Sequence, residues 1–333
     1  MSERKIKTYK EKLFKPFVPN TISLDYSYEF SKRPAEELID SVEIWLNNFT
    51  PIISKETMSL HYWKSYMGYT DKYNDLWYKW YQKEYPNRKT PTNLNTVFYS
   101  NFWRSMGVIQ DGTVYKTFEG DKTYTDFKNN AGGYWNHYIF FSNLLMYNGN
   151  NNSIKAFDQI PATEIGNYLQ SSHILKDKNP ILTLPMVEAK EFTLLNVLIT
   201  AQYGSVNGLR NEIITKGLSV FGSGWVWVLR KNVKDAKTHD WNNAFTVITT
   251  KNQDNPFMSS RYKIDGGRTD YTVVCCIDLW EHAYYREYEA NRLKYIKNVL
   301  KITNIGRTEQ ALKRYEDFIF LLLREQKKTY KIR

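Results

Sequence analysis

Apolar residues recur at helical spacing in two long segments of the first half of the chain. The first follows Ser54, a residue suited to cap a helix N-terminus, and runs through ISKETMSLHYWKSYMGYT. The second begins at Asn129 or Asn130 and runs through AGGYWNHYIFFSNLL, with apolar residues on nearly every side. We therefore predict two long helices, the second of them buried. The aromatic and basic stretch between them, about 75–127, is predicted to be irregular.

The second half of the chain changes between helical and strand patterns. Helical periodicity covers Glu191 to Tyr203 and Ser205 to Val220. Short runs rich in β-branched and aromatic residues then predict three strands, and helical patterns return after them. The predicted strands are Trp225–Arg230, Ala244–Thr249 and Thr272–Ile277, and the later helices are Trp280–Leu300 and Thr308–Gln326.

This order of elements predicts an α+β protein. We expect a long helical hairpin followed by a mixed domain in which helices surround a small three-stranded antiparallel sheet. The predicted parts are an N-terminal extension (1–52), a helical-hairpin domain with an insertion at about 75–127 (53–147), an insertion or linker (148–190), a C-terminal α+β domain (191–326) and a basic tail (327–333). The extension is basic and interrupted by prolines, with one short helical pattern at Pro34–Asn48, so we expect it to wrap or dock.

Composition indicates a folded protein and leaves its partners open. Hydrophobic residues make up 42% and aromatic residues 16% of the chain, far from the aromatic-poor composition of disordered chains. The net charge of +11 would attract a nucleic acid, an anionic membrane surface or a small anionic substrate. Because no nucleic-acid-binding signature accompanies the charge, nucleic acid is expected only as an indirect partner. A solvated basic surface is the more common reason for such a charge.

Cysteine usage and hydropathy indicate the compartment. Cys275 and Cys276 are adjacent, so they cannot form a disulfide framework, and a reducing compartment such as the cytoplasm or the mitochondrial matrix fits. The apolar run Phe318–Leu323 is too short to cross a bilayer, and we expect no transmembrane segment.

Three of the five histidines lie in notable surroundings. His61 and His137 fall within the two predicted long helices, and His282 stands four residues after Asp278 in DLWEH. Imidazole and carboxylate ligands suit first-row transition metals, and the lack of thiolates in these segments argues against a zinc-finger type of site. Taken singly, each histidine is more often a hydrogen-bonded core residue than a ligand.

Four sequence segments favour a metal-ligand role for these histidines over a purely structural one. In this order, ISKETMSLHYWKSYMGYT, NNAGGYWNHYIFF, FGSGWVWVL and DLWEHAYYREYEANR resemble the signature segments of the iron/manganese superoxide dismutases. The resemblance covers residues 53–73, 128–147 and 191–320. It implies that His61, His137, Asp278 and His282 bind one manganese or iron ion, and that the substrate is superoxide, which is converted to dioxygen and hydrogen peroxide.

The resemblance also assigns residues around the metal. Tyr69 matches the gateway tyrosine of the family, and Trp225 and Trp280 match the aromatic walls of its cavity. Gln253 stands where manganese-type members place the glutamine that hydrogen-bonds the metal-bound solvent. Gly133 agrees, because iron-type members supply that glutamine from this helix position. Manganese is therefore slightly favoured, although Trp135 is more typical of iron-type members.

Other positions bear on oligomeric state. Glu281 and Tyr285 match residues that reach across the interface of family dimers, and a homodimer or a heterodimer fits this resemblance. Three positions depart from the family pattern: Ser65 replaces the usual histidine partner of that tyrosine, the familiar N-x-R-P reads Asn291-Arg292-Leu293, and Ile305 replaces a usual tryptophan. These departures put the symmetric dimer and full catalytic speed in question without affecting the ligands.

Two functional hypotheses follow. The first is a metal-binding superoxide dismutase whose positive charge steers an anionic substrate. The second is a largely structural, dismutase-like subunit of a large mitochondrial assembly, a respiratory complex or the mitochondrial ribosome, with reduced activity or none. The N-terminal extension, the insertions and the tail favour protein partners, and we expect a mitochondrial location, matrix or matrix-facing, with the cytoplasm as the alternative.

Overall fold

The structure is a computed structural model that describes residues 35–89, 98–119, 122–144, 199, 202–231, 243–265 and 268–303. The predictions for 1–34, for 148–190 and for the helix Thr308–Gln326 lie outside the described residues, as does most of the helix predicted at Glu191–Tyr203. The five predicted parts of the chain and their boundaries therefore stay predictions.

A continuous helical rod dominates the N-terminal half. It consists of α2 (Lys55–Leu60), a π-helical stretch (His61–Tyr66) and α3 (Met67–Glu84). The predicted cap is confirmed, because the Ser54 side chain accepts a hydrogen bond of 3.2 Å from the backbone N–H of Thr57. The wider π-helical turns start at His61, a local irregularity of the kind often found at functional sites.

The expectation of an irregular stretch at about 75–127 is wrong for much of its length. Helix α3 continues to Glu84, and the chain then forms α4 (Phe98–Gln110) and α5 (Thr113–Thr117). The second long helix, α6 (Lys122–Asn143), also begins earlier than the predicted Asn129 or Asn130. Aromatic residues have modest helix propensity, and here burial of their rings overrides it.

The C-terminal half contains the predicted three-stranded antiparallel sheet. After α7 (Val206–Ser219) come β1 (Gly224–Lys231), β2 (Phe245–Lys251) and β5 (Tyr271–Asp278), in the spatial order β2, β1, β5. Trp225 of β1 pairs with Asp278 of β5 and with Thr250 of β2. The central strand β1 is buried from Gly224 to Arg230, as expected for a strand covered on both faces.

A second, very small ladder was not predicted. Two-residue strands, β3 (Ile264–Asp265) and β4 (Arg268–Thr269), pair antiparallel between β2 and β5. Such short strands carry no readable alternation of polar and apolar positions, so the sequence pattern gave no signal for them.

The single helix predicted at Trp280–Leu300 is wrong. A 3₁₀ turn at Glu281–Ala283 is followed by α8 (Tyr285–Tyr288) and α9 (Arg292–Val299). The break falls at Glu289, which has a positive φ of 50° and cannot continue a right-handed helix. Asn291 then caps α9 by accepting a hydrogen bond of 3.0 Å from the backbone N–H of Lys294.

The first described helix is part of the core. In α1 (Ala35–Leu46) and the turn after it, Ile39, Val42, Trp45 and Phe49 are buried. The Trp45 ring lies 5.6 Å from the ring of Phe141 in α6. The C-terminal end of the predicted extension thus packs into the helical layer that carries the functional residues described below.

The helical layer and the three-stranded sheet meet at α6, which packs against both α3 and β5. The amide of Asn143 in α6 donates a hydrogen bond of 3.2 Å to the carbonyl of Val274 in β5. No helix in the part of the chain that the structure describes is long and apolar enough to span a membrane.

Truncating the Trp45 side chain tests whether α1 belongs to the core. We expect Trp45→Ala to lower the free energy of unfolding by about 3–5 kcal/mol, because it removes a large ring that is only 4% exposed. The neighbouring Ile44 is 66% exposed, and Ile44→Ala should change stability by less than about 0.5 kcal/mol. Urea unfolding followed by fluorescence measures both, and equal effects would show that α1 only lies on the surface.

Candidate metal centre

Four side chains from distant parts of the sequence converge at one buried point. One donor atom from each of His61, His137, Asp278 and His282 lies within 4.8 Å of the other three. Asp278 Oδ2 is 3.1 Å from His61 Nε2, 3.6 Å from His137 Nε2 and 3.3 Å from His282 Nε2. Among the described residues this is the one group of three or more such side chains arranged to hold a metal ion.

Each donor is placed by a different element. His61 opens the π-helical stretch, and His137 lies in the buried part of α6. Asp278 is the last residue of β5, and His282 follows in the 3₁₀ turn. The site therefore forms only when the helical layer docks on the sheet.

The Asp278 carboxylate is oriented and ionised. Its Oδ1 accepts a hydrogen bond of 2.8 Å from the backbone N–H of Trp280, which directs Oδ2 towards the three imidazoles. Burial alone would raise the pKa of this carboxyl, but the close imidazoles of His282 and His61 outweigh burial and hold the pKa well below its usual range.

The two fully buried imidazoles are neutral. Burial lowers the pKa of His61 to about 4, against the opposing influence of the nearby Asp278 carboxylate. Burial also lowers the pKa of His137 well below its usual value. A neutral imidazole offers its ring nitrogen as a metal ligand, whereas an imidazolium cannot.

The position of the ring proton on His137 is also set. Its Nδ1 lies 2.6 Å from the carbonyl oxygen of Gly133, one helical turn earlier, and donates to it. This bond leaves Nε2 without a proton and directed at the cluster. Metal-binding histidines commonly fix their tautomer in this way.

The donor set fits a transition metal. Two ligands bound at about 2 Å to one ion lie no more than about 4 Å apart, so the separations around Asp278 already satisfy this limit. The widest pair, at up to 4.8 Å, must contract by less than about 1 Å. Within the described residues, neither His61 Nε2 nor Asp278 Oδ2 has a hydrogen-bond partner of good geometry, although both are buried. Buried donors of this kind are balanced by a cation.

A chain of hydrogen bonds runs beside the cluster. Gln253 Nε2 donates to Tyr69 Oη over 3.1 Å, and Trp225 Nε1 donates to Gln253 Oε1 over 3.2 Å. The Tyr69 ring lies 5.3 Å from the ring of His137. The structure thus brings three of the residues singled out in the sequence, Tyr69, Gln253 and Trp225, against the four donors.

Two glycines of α6 make room for this chain. A Cβ on Gly133 would lie 2.3 Å from the Tyr69 ring, and one on Gly132 would lie 1.8 Å from the Gln253 carbonyl oxygen. The amide of Asn136, one turn further along α6, donates to the same carbonyl over 3.0 Å. The helix therefore fixes both the ring of Tyr69 and the backbone of Gln253.

The remaining predicted residues lie towards the surface. The Trp280 ring stacks on His282 at 5.7 Å and donates through Nε1 to the carbonyl of Asn252 over 3.1 Å. The His282 side chain is 27% exposed, so the cluster opens to solvent on this side. Glu281 and Tyr285 are exposed, and Ser65 is half-buried.

Sequence reasoning missed a contact that joins the two halves of the site. Glu287 Oε1 accepts hydrogen bonds from the hydroxyls of Ser54 and Thr57, the latter over 2.7 Å. These hydroxyls begin the rod that carries His61, while Glu287 follows His282 by five residues. Tyr288 adds a hydrogen bond of 2.6 Å to the carbonyl of Ile52. No spacing pattern marks Glu287, because its partners lie more than two hundred residues away in sequence.

Comparison with known proteins agrees with this fold and site. The model of the α-hairpin domain of iron/manganese superoxide dismutases matches residues 38–145, and the model of their C-terminal domain matches residues 192–311. Together these matches define a dismutase-type metalloprotein. The chain belongs to the iron/manganese superoxide dismutase family, as the sequence resemblance predicted.

The relatives share a low percentage of identical residues with this chain, and two of the three matches cover most of both proteins. A manganese superoxide dismutase of Buchnera aphidicola (subsp. Acyrthosiphon pisum) is 22% identical over 267 residues, which cover 80% of this chain and 94% of the relative. One from Acinetobacter baylyi is 24% identical over 300 residues, 90% of this chain and 93% of the relative. The manganese/iron superoxide dismutase 2 of Staphylococcus aureus (strain Mu50) is 32% identical over 112 residues, 34% of this chain and 46% of the relative.

Adding a methyl group to α6 tests how tightly it holds the hydrogen-bond chain. We expect Gly133→Ala to displace the Tyr69 ring, break its bond with Gln253 and destabilise the fold by about 1–3 kcal/mol, because the new methyl group would overlap the rigid base of that ring. Gly68→Ala is the matched control on the neighbouring rod, where a Cβ meets nothing within 4 Å. The control should gain about 0.5–1 kcal/mol of helix stability. Thermal unfolding compares the two, and similar melting temperatures would contradict the close approach.

Proposed function

We propose that this protein is an active superoxide dismutase that converts two superoxide ions and two protons into dioxygen and hydrogen peroxide. The observation that carries the proposal is the convergence of three imidazoles and one ionised carboxylate beside the pair formed by Tyr69 and Gln253. The relatives from Buchnera aphidicola and Acinetobacter baylyi are both named manganese superoxide dismutases, which supports this reaction.

His61, His137, Asp278 and His282 would hold the ion. When bound, manganese or iron would supply a one-electron redox couple that the four donor side chains lack. Manganese is slightly favoured over iron, because Gln253 comes from the loop after β2 while Gly133 leaves no side chain at the alternative position on α6. Trp135 remains more typical of iron-type members.

The protein's own residues would handle the proton. Tyr69 Oη accepts a hydrogen bond from Gln253, so its own hydrogen stays available for donation into the cavity. Burial raises the pKa of Tyr69 above its usual value, so the hydroxyl remains protonated at neutral pH. Trp225 keeps Gln253 in place by donating to its carbonyl oxygen, and this orients the amide towards Tyr69.

The surface would bring the substrate to the opening. Superoxide is an anion, and a net charge of +11 raises its local concentration around the protein. The partly exposed side of His282, next to Trp280, is the place where the buried cluster meets solvent.

Removing one ligand tests the metal site. We expect His137→Ala to lose most of its bound manganese or iron and its dismutase activity, because it removes a fully buried imidazole and leaves only three of the four donors. His173→Ala is the matched control, since the resemblance assigns that histidine no role. Elemental analysis of the purified proteins gives both the amount and the identity of the metal. Equal metal content in the two variants would refute the assignment.

A second candidate is a structural role inside a larger mitochondrial assembly. It is favoured by the sequence outside the two family matches, residues 1–37, 146–191 and 312–333, and by Ser65 at the position of the usual histidine. The N-terminal extension and the insertions would then bind protein partners, and Glu281 and Tyr285 would serve a homodimer or a heterodimer.

Native size distinguishes the two candidates. If the structural role holds, the protein released gently from mitochondria should migrate in native gels with a complex far larger than a dimer. Reduced dismutase activity would accompany it, because Ser65 cannot replace an imidazole hydrogen bond. Restoring the family residue by Ser65→His should then raise activity without altering the size of the complex. A small dimer with full activity would rule out this candidate.

A further inference from the structure

The large rings that the helical rod buries beyond the metal site share one chemical property. From residue 66 to residue 85 every aromatic side chain on the rod is tyrosine or tryptophan, and none is phenylalanine. The buried ones among them include Tyr66, Tyr73, Trp77, Trp80 and Tyr81. Phenol and indole are the side chains, apart from thiols, that give up a single electron most readily.

Packing alone does not require this choice. Phenylalanine fills nearly the same volume as tyrosine and leaves no hydroxyl that needs a hydrogen-bond partner in the interior. Tyr73, which is completely buried, uses its hydroxyl to donate a hydrogen bond of 2.7 Å to Ser105. The rod therefore buries polar hydroxyl and indole N–H groups, which costs free energy, at positions where a phenylalanine ring would fit.

These rings contact one another from the metal site outward. The Tyr66 ring stacks on the ligand His137 at 5.9 Å, with an angle of 15° between the planes. Tyr66 stacks in turn on Tyr134 of α6 at 6.0 Å, and Tyr134 stacks on Tyr73 at 5.6 Å. The first part of this path lies wholly in the interior.

The second part leads to the end of the rod. Tyr73 is 6.2 Å from Trp77, Trp77 is 4.7 Å from Trp80, and Trp80 is 6.1 Å from Tyr85. Trp77 and Trp80 are each 1% exposed, whereas Tyr85 is partly exposed and lies under the guanidinium of Arg88. We call Tyr66, Tyr134, Tyr73, Trp77, Trp80 and Tyr85 the aromatic path.

We propose that the aromatic path carries single electrons from the surface at Tyr85 to the metal centre, and so protects the ligands from peroxide. The proposal rests on the proposed function, because hydrogen peroxide is the product that the dismutase reaction leaves in the cavity. Steps of 4.7 to 6.2 Å between ring centres keep each transfer short, so no single long transfer is required.

The electron balance is as follows. Hydrogen peroxide that is not released would take one electron from the reduced metal and a second electron through the aromatic path. Superoxide would return the metal to its reduced state and leave as dioxygen, as in the proposed dismutase reaction. Its O–O bond breaks, and with two protons it becomes two molecules of water. Tyr85 supplies the second electron and loses its phenolic proton to solvent, which leaves a neutral tyrosyl radical at the surface. A soluble one-electron reductant, such as a thiol or ascorbate, returns an electron, a proton is taken up from solvent, and the inner rings end unchanged.

Radical trapping tests the proposal on the metal-loaded full-length protein. The reduced protein is treated with hydrogen peroxide in the presence of a nitroso spin trap, and adducts are located by peptide mass spectrometry. We expect the adduct on Tyr85 in the parent protein and its loss after the metal is stripped. A parent protein with no adduct on Tyr85 would overturn the proposal.

Interrupting the path gives the decisive comparison. In Trp77→Phe and Trp80→Phe the Tyr85 adduct should be lost, and oxidation should appear instead on His61, His137 or Trp225. Trp227→Phe is the matched control, because Trp227 is equally buried but lies in β1, outside the aromatic path. An undiminished Tyr85 adduct in both path variants would overturn the proposal.

Two further measurements keep the result interpretable. Tyr85→Phe changes only the partly exposed end, so it remains usable if a core variant fails to fold, and it should trap the radical at Trp80 or Tyr81. Trapping confined to the metal ligands in this variant would contradict the path. Dismutase activity is assayed separately: a Tyr85 adduct without dismutase activity would defeat only the proposed function, since peroxide is added from outside.

Discussion

The rest of the structure depends on an ionised carboxylate held in the interior by three imidazoles. Asp278 and His61 have no exposed side-chain surface, and such a buried charge is costly unless it is paired. Two neutral imidazoles cannot balance it completely, but a bound metal cation can. Folding and metal binding are therefore coupled in this protein, and the arrangement of the layers around the cluster determines whether the ion is held.

The layers are held in register by contacts that have no chemistry of their own. Two adjacent glycines let α6 approach Tyr69 and the backbone of Gln253, so the helix that carries His137 also positions the residues beside the cavity. Glu287 also holds two parts of the site together, because its carboxylate joins the start of the rod to the segment after His282. Small shifts at either contact would separate donors that come from opposite halves of the chain.

The helical rod combines several roles. It supplies the candidate ligand His61 and the proposed proton donor Tyr69, and beyond them it buries a continuous series of oxidisable rings. Proton transfer at Tyr69 depends on one hydrogen bond, whereas electron transfer along the rings would depend only on ring contact. The rings of Tyr69 and Tyr66 lie 5.3 and 5.9 Å from the ring of His137, so the proposed proton and electron routes use different rings beside the same histidine.

The sequence by itself determined the family and the candidate metal ligands. The residue types around His61, His137, Asp278 and His282 identified the family, and β-branched runs located all three strands of the main sheet, because short-range patterns report local structure directly. The tertiary structure decided what local patterns cannot contain. Aromatic residues with weak helix propensity are helical at 75–84 and 98–110, because burial of their rings stabilises these helices. The helical segment after His282 is interrupted at Glu289, and α1 packs into the core. Glu287 acquired its role only through partners more than two hundred residues away, since long-range contacts leave no spacing in the sequence.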